Sequence, residues 1–205
     1  LQNPEVYTKM GSGLLNIFES LVPPVVIGSS SIPTNYFYPG IVTAMTEGGK
    51  TQVRIFDHRK RLLRQFVAFD QTMVGASVAV GDLDHDGVSE VVVGAGRGAE
   101  PLVRIFTESG DTVGEWLAYQ KHFRGGVSVA VGDVNGDGVM EIVTAPGQGG
   151  GPHVRIFDRS GNLLNQFFAY LSGFRGGVSV AVADTNGDGR EEIITGAGPG
   201  GGPHV

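Results

Sequence analysis

Short runs of β-branched and aromatic residues recur along most of this chain, and Gly, Asp and Asn separate them. Such runs are typical of strands joined by tight turns. In the clearest copy they predict strands at 127–131, 141–145, 153–157 and 163–170. The tetrapeptide Val-Arg-Ile-Phe begins at Val53, Val103 and Val154, which indicates a repeat of about 51 residues. The hydrophobic pattern therefore predicts an all-β chain built from repeated units.

Four short antiparallel strands in each repeat are typical of a β-propeller blade. Two blades are complete in the sequence, at about 74–122 and 125–173. A third unit has only its later strands, at about 41–70, and a fourth has its first strands near the carboxyl end. Because a propeller usually closes with about four to eight blades, residues 41–205 are predicted to form an incomplete propeller or part of a larger one.

Residues 1–40 do not share the repeat and form a separate apolar segment. Between Met10 and Thr46 the only charged residue is Glu19. One interpretation is that this segment replaces missing strands of the first blade and packs on its flank. The other is a docking surface, because so uncharged a run is costly to leave in water. The residues predicted to contact a protein partner or a second copy of the chain are Leu14, Leu15, Phe18, Leu21, Tyr36, Phe37 and Tyr38.

Composition and charge narrow the classes of function. The 34 Gly among 205 residues suit tight turns, and the 40% of hydrophobic residues argues for a folded chain. The formal charge of −6 offers no general attraction for nucleic acid, so no nucleic-acid partner is expected. The absence of Cys excludes disulfides and thiolate zinc sites. Polar residues and Pro interrupt the apolar stretches, so no transmembrane segment is expected.

A loop of one design lies between the first two predicted strands of each blade. It carries side-chain oxygens at positions 1, 3 and 5, Gly at 6, a free carbonyl at 7 and a carboxylate at 9. Ca²⁺ takes about six to eight oxygen ligands, and Gly at position 6 allows the sharp turn that aims them. The pattern predicts three Ca²⁺ sites, whose charges would balance the formal charge of −6. The predicted ligands are Asp82, Asp84, Asp86, Val88 and Glu90, then Asp133, Asn135, Asp137, Val139 and Glu141, then Asp184, Asn186, Asp188, Arg190 and Glu192.

Two other interpretations of these loops are less favoured. An EF-hand needs a bidentate Glu at position 12, but Val93, Thr144 and Thr195 stand there within strand-like sequence. Plain Asp, Asn and Gly turns need no metal, yet so many oxygens within nine residues would repel one another without a cation. Mg²⁺ suits the loops less than Ca²⁺ because it prefers a strict octahedron with several waters.

With its Asp-x-Asp/Asn-x-Asp-Gly loops and the Gly-rich segments 145–152 and 196–203, the sequence resembles the FG-GAP repeat family. This family forms the propeller of integrin α-subunits and occurs in many bacterial surface proteins. The resemblance covers about residues 41–205 and implies structural calcium that clamps adjacent strands at one face of a propeller. Position 9 is Glu in all three loops, where integrin-type loops usually have Asp, so a bacterial-type repeat fits better.

No nucleophile elbow, metalloprotease motif or Cys/His pair is present in the sequence, so a non-enzymatic module is expected. We expect protein interaction, adhesion or scaffolding at the cell surface, outside the cell or in the periplasm, because extracellular calcium modules bind at about 10⁻⁴–10⁻³ M. The alternative is a carbohydrate-binding or polysaccharide-processing protein, in which Trp116, Tyr119 and Tyr170 would stack on sugars. An architectural subunit of a larger complex is a further possibility.

Overall fold

The computed structural model describes residues 40–71 and 73–202. The candidate partner-binding residues, all between Leu14 and Tyr38, lie outside these described residues. Both interpretations of the apolar segment therefore stay predictions. Within the described ranges, no helix is long and apolar enough to span a membrane.

The described residues contain thirteen strands, and every strand pair is antiparallel. In chain order they are β1 (Ile41–Glu47), β2 (Lys50–Phe56), β3 (Leu62–Phe69), β4 (Val74–Gly81), β5 (Glu90–Arg97), β6 (Leu102–Phe106), β7 (Thr112–Leu117), β8 (Val127–Gly132), β9 (Glu141–Pro146), β10 (His153–Phe157), β11 (Leu163–Phe168), β12 (Val178–Ala183) and β13 (Glu192–Ala197). They form a three-stranded sheet β1–β3, two four-stranded sheets, β4–β7 and β8–β11, and a two-stranded sheet β12–β13. Within each sheet, consecutive strands are hydrogen-bonded neighbours, as in propeller blades.

Successive sheets pack face to face, because side chains alternate between the two faces of each strand. The core between the first two sheets includes Val93. The core between the second and third sheets includes Val92 and Ile142, and the next core includes Val143 and Val180. Neighbouring residues of β5 and of β9 therefore contribute to different cores.

The first strands of successive blades, β4, β8 and β12, also contact one another. The backbone nitrogen of Val129 donates to Ser77 Oγ at 3.0 Å, and that of Val180 donates to Ser128 Oγ at 3.2 Å. The same hydrogen bond thus joins β4 to β8 and β8 to β12. Small Ser side chains at these positions allow the strands to approach closely and hold the blades in one register.

The structure confirms the predicted all-β fold and the division into two complete and two partial blades. In the blade at 125–173, three strands lie within a residue of their predicted bounds. β11 ends at Phe168 rather than at Tyr170 because the chain turns towards the next sheet. There the Tyr170 hydroxyl donates to the Thr195 carbonyl at 2.9 Å.

Candidate functional site

Three loops join the first strand of a blade to its second strand. The first loop (82–90) joins β4 to β5, the second loop (133–141) joins β8 to β9, and the third loop (184–192) joins β12 to β13. In each, the Asp at position 1 accepts a backbone hydrogen bond from the Gly at position 6. The bonds are Gly87 N to Asp82 Oδ2 at 3.0 Å, Gly138 N to Asp133 Oδ2 at 2.8 Å and Gly189 N to Asp184 Oδ2 at 3.0 Å. The position-6 Gly has a φ between +86° and +89°, so the sharp turn predicted there is present.

The Asp at position 5 is held in the same turn. It accepts a hydrogen bond from the backbone nitrogen of the residue at position 7. The bonds are Val88 N to Asp86 Oδ1 at 2.7 Å, Val139 N to Asp137 Oδ1 at 2.8 Å and Arg190 N to Asp188 Oδ1 at 2.8 Å. Backbone hydrogen bonds therefore fix the orientation of both the first and the fifth position in every loop.

The first loop brings three carboxylates together. One oxygen each of Asp82, Asp84 and Asp86 lies within 4.8 Å of the others. Two ligands on opposite sides of a Ca²⁺ ion, each about 2.4 Å from it, are about 4.8 Å apart. The Oδ1 atom of Asp82 is buried and has no hydrogen-bond partner among the described residues. The donor atoms and their spacing therefore fit Ca²⁺.

The second and third loops carry Asn at position 3, and its amide links the acidic side chains. Asn135 Nδ2 donates to Glu141 Oε1 at 2.7 Å and to Asp137 Oδ2 at 3.0 Å. Asn186 Nδ2 donates to Glu192 Oε1 at 2.9 Å. An N–H group between carboxylates offsets part of their repulsion. The first loop has no such donor at position 3, because an ionised Asp only accepts hydrogen bonds.

The Glu at position 9 closes each loop. Its Oε2 atom accepts a hydrogen bond from the backbone nitrogen at position 2. The bonds are Leu83 N to Glu90 at 2.9 Å, Val134 N to Glu141 at 3.1 Å and Thr185 N to Glu192 at 2.9 Å. Glu90 and Glu141 are 5% and 3% exposed. Burial, together with the nearby Asp carboxylates, raises the pKa of both side chains above the usual 4.5. Direct coordination of a metal by position 9 stays a prediction.

A neighbouring blade also contributes a cation to the first loop. Arg159, in the hairpin between β10 and β11, forms an ion pair with Asp84 Oδ2 at 2.7 Å. The spacing within one repeat could not reveal this pair, because the two residues belong to different blades. The guanidinium therefore neutralises part of the charge that the three Asp side chains bring together.

The side chain at position 8 contacts the preceding blade in the second and third loops. Met140 packs on Gly81, and Glu191 packs on Gly132 in the same way one blade later. The backbone nitrogen of Glu191 also donates to the Asp133 carbonyl at 3.0 Å. Glu191 Oε2 is buried and has no hydrogen-bond partner in the described ranges. In the sequence, this buried carboxylate could have been found from position 8, where Met140 of the second loop is replaced by Glu191 in the third loop.

Two family models match parts of the chain. Residues 74–110 match the FG-GAP repeat, and residues 133–195 match the FG-GAP-like repeat. Integrin alpha-V from Gallus gallus is 35% identical over 78 residues, which are 37% of this chain and 8% of that integrin. The two family models cover all three loops. The integrin match covers only a small part of the integrin.

Two solved structures share the fold. The exotype rhamnogalacturonan lyase YesX has a TM-score of 0.54 at 16% identity over 76% of this chain. The rhamnogalacturonan lyase PL11 of Bacillus licheniformis has a TM-score of 0.52 at 15% identity over 75% of this chain. The present chain spans 36% of each lyase. At this level of identity the likeness concerns the fold alone.

Proposed function

From the premise that residues 74–110 and 133–195 are FG-GAP repeats, we propose that the chain is a calcium-stabilised, non-catalytic propeller module. It serves in protein interaction, adhesion or scaffolding within a larger assembly. The observation that carries the proposal is the carboxylate cluster of the first loop, Asp82, Asp84 and Asp86. The same positions recur in the second and third loops, which gives three sites.

The role of Ca²⁺ follows from charge and from the position of the loops. Like charges within 4.8 Å repel strongly unless a cation lies between them. Each loop connects the first two strands of a blade, so fixing the loop fixes the start of that sheet. In each loop, the side chains at positions 1, 3 and 5 and the carbonyl at position 7 would hold the ion. Position 9 supports them by closing the loop.

The proposed location is the cell surface, the extracellular space or the periplasm, in a bacterial-type protein. Sites built from exposed loops bind calcium at about 10⁻⁴–10⁻³ M in extracellular modules, and cytosolic calcium would leave them empty. The partial likeness to integrin alpha-V supports a surface role. A protein partner or a second copy of the chain is the proposed occupant of the interaction surface.

Glycan binding is the second candidate function. The observation that favours it is the exposed ring of Phe168, which is 56% exposed and lines a cleft beside several Arg side chains. The fold likeness to two rhamnogalacturonan lyases is compatible with this candidate. The aromatic residues named from the sequence support it less. Tyr119 and Tyr170 use their hydroxyls in hydrogen bonds to neighbouring strands, and Trp116 packs on Phe157.

Thermal unfolding of the chain in calcium, in magnesium and in chelator tests the first proposal. Calcium should raise the melting temperature above that in chelator, and magnesium should raise it less. Equal melting temperatures in calcium and chelator would refute a structural role for the ion.

A further inference from the structure

A cleft of about 720 Å³ lies at the end of the blades away from the three carboxylate loops. β9 shows the separation, because it leaves the second loop at Glu141 and reaches the cleft at Pro146. A strand of six residues spans about 20 Å. The connections β7–β8, β9–β10 and β11–β12 supply most of the lining. The cleft is therefore a site separate from the candidate metal loops.

The cleft is cationic although the chain as a whole carries a charge of −6. Four of the 15 Lys and Arg residues line it, and the described lining contains no Asp or Glu. The four are Arg97, Arg124, Arg155 and Arg175. Glu100, which is outside the lining, pairs with Arg124 at 3.9 Å. Such a cluster favours an anionic ligand.

Backbone carbonyls hold two of these guanidinium groups in place. Arg175 has no ion pair among the described residues, and Arg124 has one with Glu100 at 3.9 Å. Arg175 Nη1 donates to the carbonyls of Ser172 at 2.6 Å and Phe174 at 2.8 Å. Arg124 Nη1 donates to the Phe123 carbonyl at 2.9 Å. Carbonyls fix the position of a guanidinium but leave its charge intact. The remaining N–H groups can donate to a planar acceptor such as a carboxylate.

Arg155 lacks the acid that its counterpart one blade earlier has. Arg104 forms an ion pair with Glu115 on the adjacent strand. The residue opposite Arg155 is Gln166, which is neutral. Arg155 Nη1 donates to the Ala118 carbonyl at 2.7 Å, but its Nε is buried with no partner among the described residues. A partly buried cation without a counter-charge is costly, and an anionic ligand would reduce that cost.

An aromatic surface lies beside these cations. Phe168 stacks on His153 with their ring centroids 4.7 Å apart and an interplanar angle of 25°. Gly149, Gly150 and Gly151 line the same cleft without side chains, and a Cβ atom at Gly149 would meet nothing within 4 Å. The wall is therefore open enough to admit a broad ring. A flat apolar surface next to Arg side chains suits a sugar ring that carries a carboxylate better than an acidic peptide.

We infer that this cleft binds an acidic oligosaccharide. Its uronic-acid carboxylates pair with Arg97, Arg124 and Arg175, and one ring face lies on Phe168. The inference rests on the second candidate function, glycan binding, and is independent of the calcium sites. It specifies the class of glycan and the residues that select it.

Calorimetric titration with tetragalacturonic acid, in a calcium-containing buffer, tests the inference on the whole chain. Arg97→Gln and Arg175→Gln should each weaken binding about tenfold, because each removes a charge-assisted hydrogen bond. Arg64→Gln is the matched control. Arg64 is exposed on β3 away from the cleft, and its Nη1 donates to the Leu63 carbonyl at 2.9 Å. This control should bind within twofold of the unchanged chain.

Two further ligands separate charge from ring recognition. The methyl ester of the tetrasaccharide, which lacks the charges, should bind at least about tenfold more weakly. Tetraglutamate, which has the charges without the rings, should also bind more weakly. No binding of the acid, equal binding of its ester, tighter binding of tetraglutamate or an equal loss in Arg64→Gln would overturn the inference. Melting temperatures of the same samples with calcium and chelator show separately whether the calcium proposal holds.

Discussion

The first and second loops share one backbone turn but differ in how they manage negative charge. In the first loop, Asp82, Asp84 and Asp86 lie within 4.8 Å of one another, and the cation of Arg159 reaches Asp84 from another blade. In the second loop, Asn135 replaces the middle Asp and donates hydrogen bonds to its acidic neighbours. One residue at position 3 therefore decides whether a loop depends on a cation or is partly satisfied by its own amide.

Because of this difference, we expect removal of calcium to destabilise the two loops to different extents. The first loop keeps three carboxylates together, and Arg159 is the one cation paired with them among the described residues. This loop should therefore loosen most in chelator. The second loop keeps its amide hydrogen bonds without any ion. Calcium should consequently matter more to the sheet β4–β7 than to the sheet β8–β11.

The largest expected effect on stability comes from removing the carboxylate at position 5 of a loop. Asp86→Ala should lower stability in calcium by up to about 2.7 kcal/mol at 100 times Kd, because the site is lost. In chelator it should change stability little, since relief of repulsion offsets the lost hydrogen bond to Val88. Chemical unfolding in both buffers measures this. Equal losses in the two buffers would show that the first loop holds no metal.

Asp137→Ala is the matched variant in the second loop. It should also lower stability in calcium, but it should keep a loss of about 1 kcal/mol in chelator. That residual loss reflects the hydrogen bonds from Val139 and Asn135, which do not depend on an ion. A second-loop variant that behaves like Asp86→Ala in chelator would contradict the comparison.

Giving the second loop the Asp that the first loop has at position 3 should make the second loop depend on calcium as the first loop does. Asn135→Asp removes an amide donor and adds a charge, so stability in chelator should fall by about 1–2 kcal/mol. In calcium the added negative charge at position 3 should tighten binding by the second loop. Unfolding curves at several calcium concentrations measure both effects. An Asn135→Asp variant as stable as the unchanged chain in chelator would argue that the amide does not balance the carboxylates.

Glu191→Met should stabilise the chain by about 1 kcal/mol near pH 7, because it removes a buried carboxylate oxygen without a partner. Met140 fills the equivalent position one blade earlier. Burial raises the pKa of Glu191 above 4.5, so its charged form costs stability as pH rises through that raised pKa. The advantage of the variant should therefore shrink when unfolding is measured below pH 4.5. An advantage that does not change with pH would exclude ionisation as its cause.

Arg159→Gln should have the smallest effect. Its ion pair with Asp84 is partly exposed, and such pairs contribute about 0–1 kcal/mol. The loss should be larger in chelator, because no calcium then balances the carboxylates of the first loop. A loss seen only in calcium would contradict this role for Arg159.

The sequence predicted the features that lie within a single repeat. The register of the Val-Arg-Ile-Phe segments located the strands, and the Gly at position 6 located each turn. The contacts of Arg159 and Glu191 were not foreseen, because they join residues from different blades. The cationic cleft was missed for the same reason, since its Arg residues come from separate connections. Spacing within a repeat does not show which residues of adjacent repeats meet.

The loop-closing role of position 9 also needed the structure. A carboxylate at this position was predicted as a metal ligand, and the sequence could not show that one of its oxygens accepts a backbone hydrogen bond. Glu90 and Glu141 both do so from the residue at position 2. Glu90 and Glu141 are the first residues of β5 and β9. From there the long, flexible Glu side chain reaches the backbone nitrogen at position 2.

Native mass spectrometry of the chain, with calcium and after chelation, tests the central claim most directly, because one spectrum counts the bound ions and the copies of the chain. We predict three calcium-sized mass increments that disappear on chelation, with the increment of the second loop absent in Asp137→Ala. A spectrum without bound calcium, unchanged by chelator, would mean that the loops are turns stabilised by their own hydrogen bonds and would contradict the account.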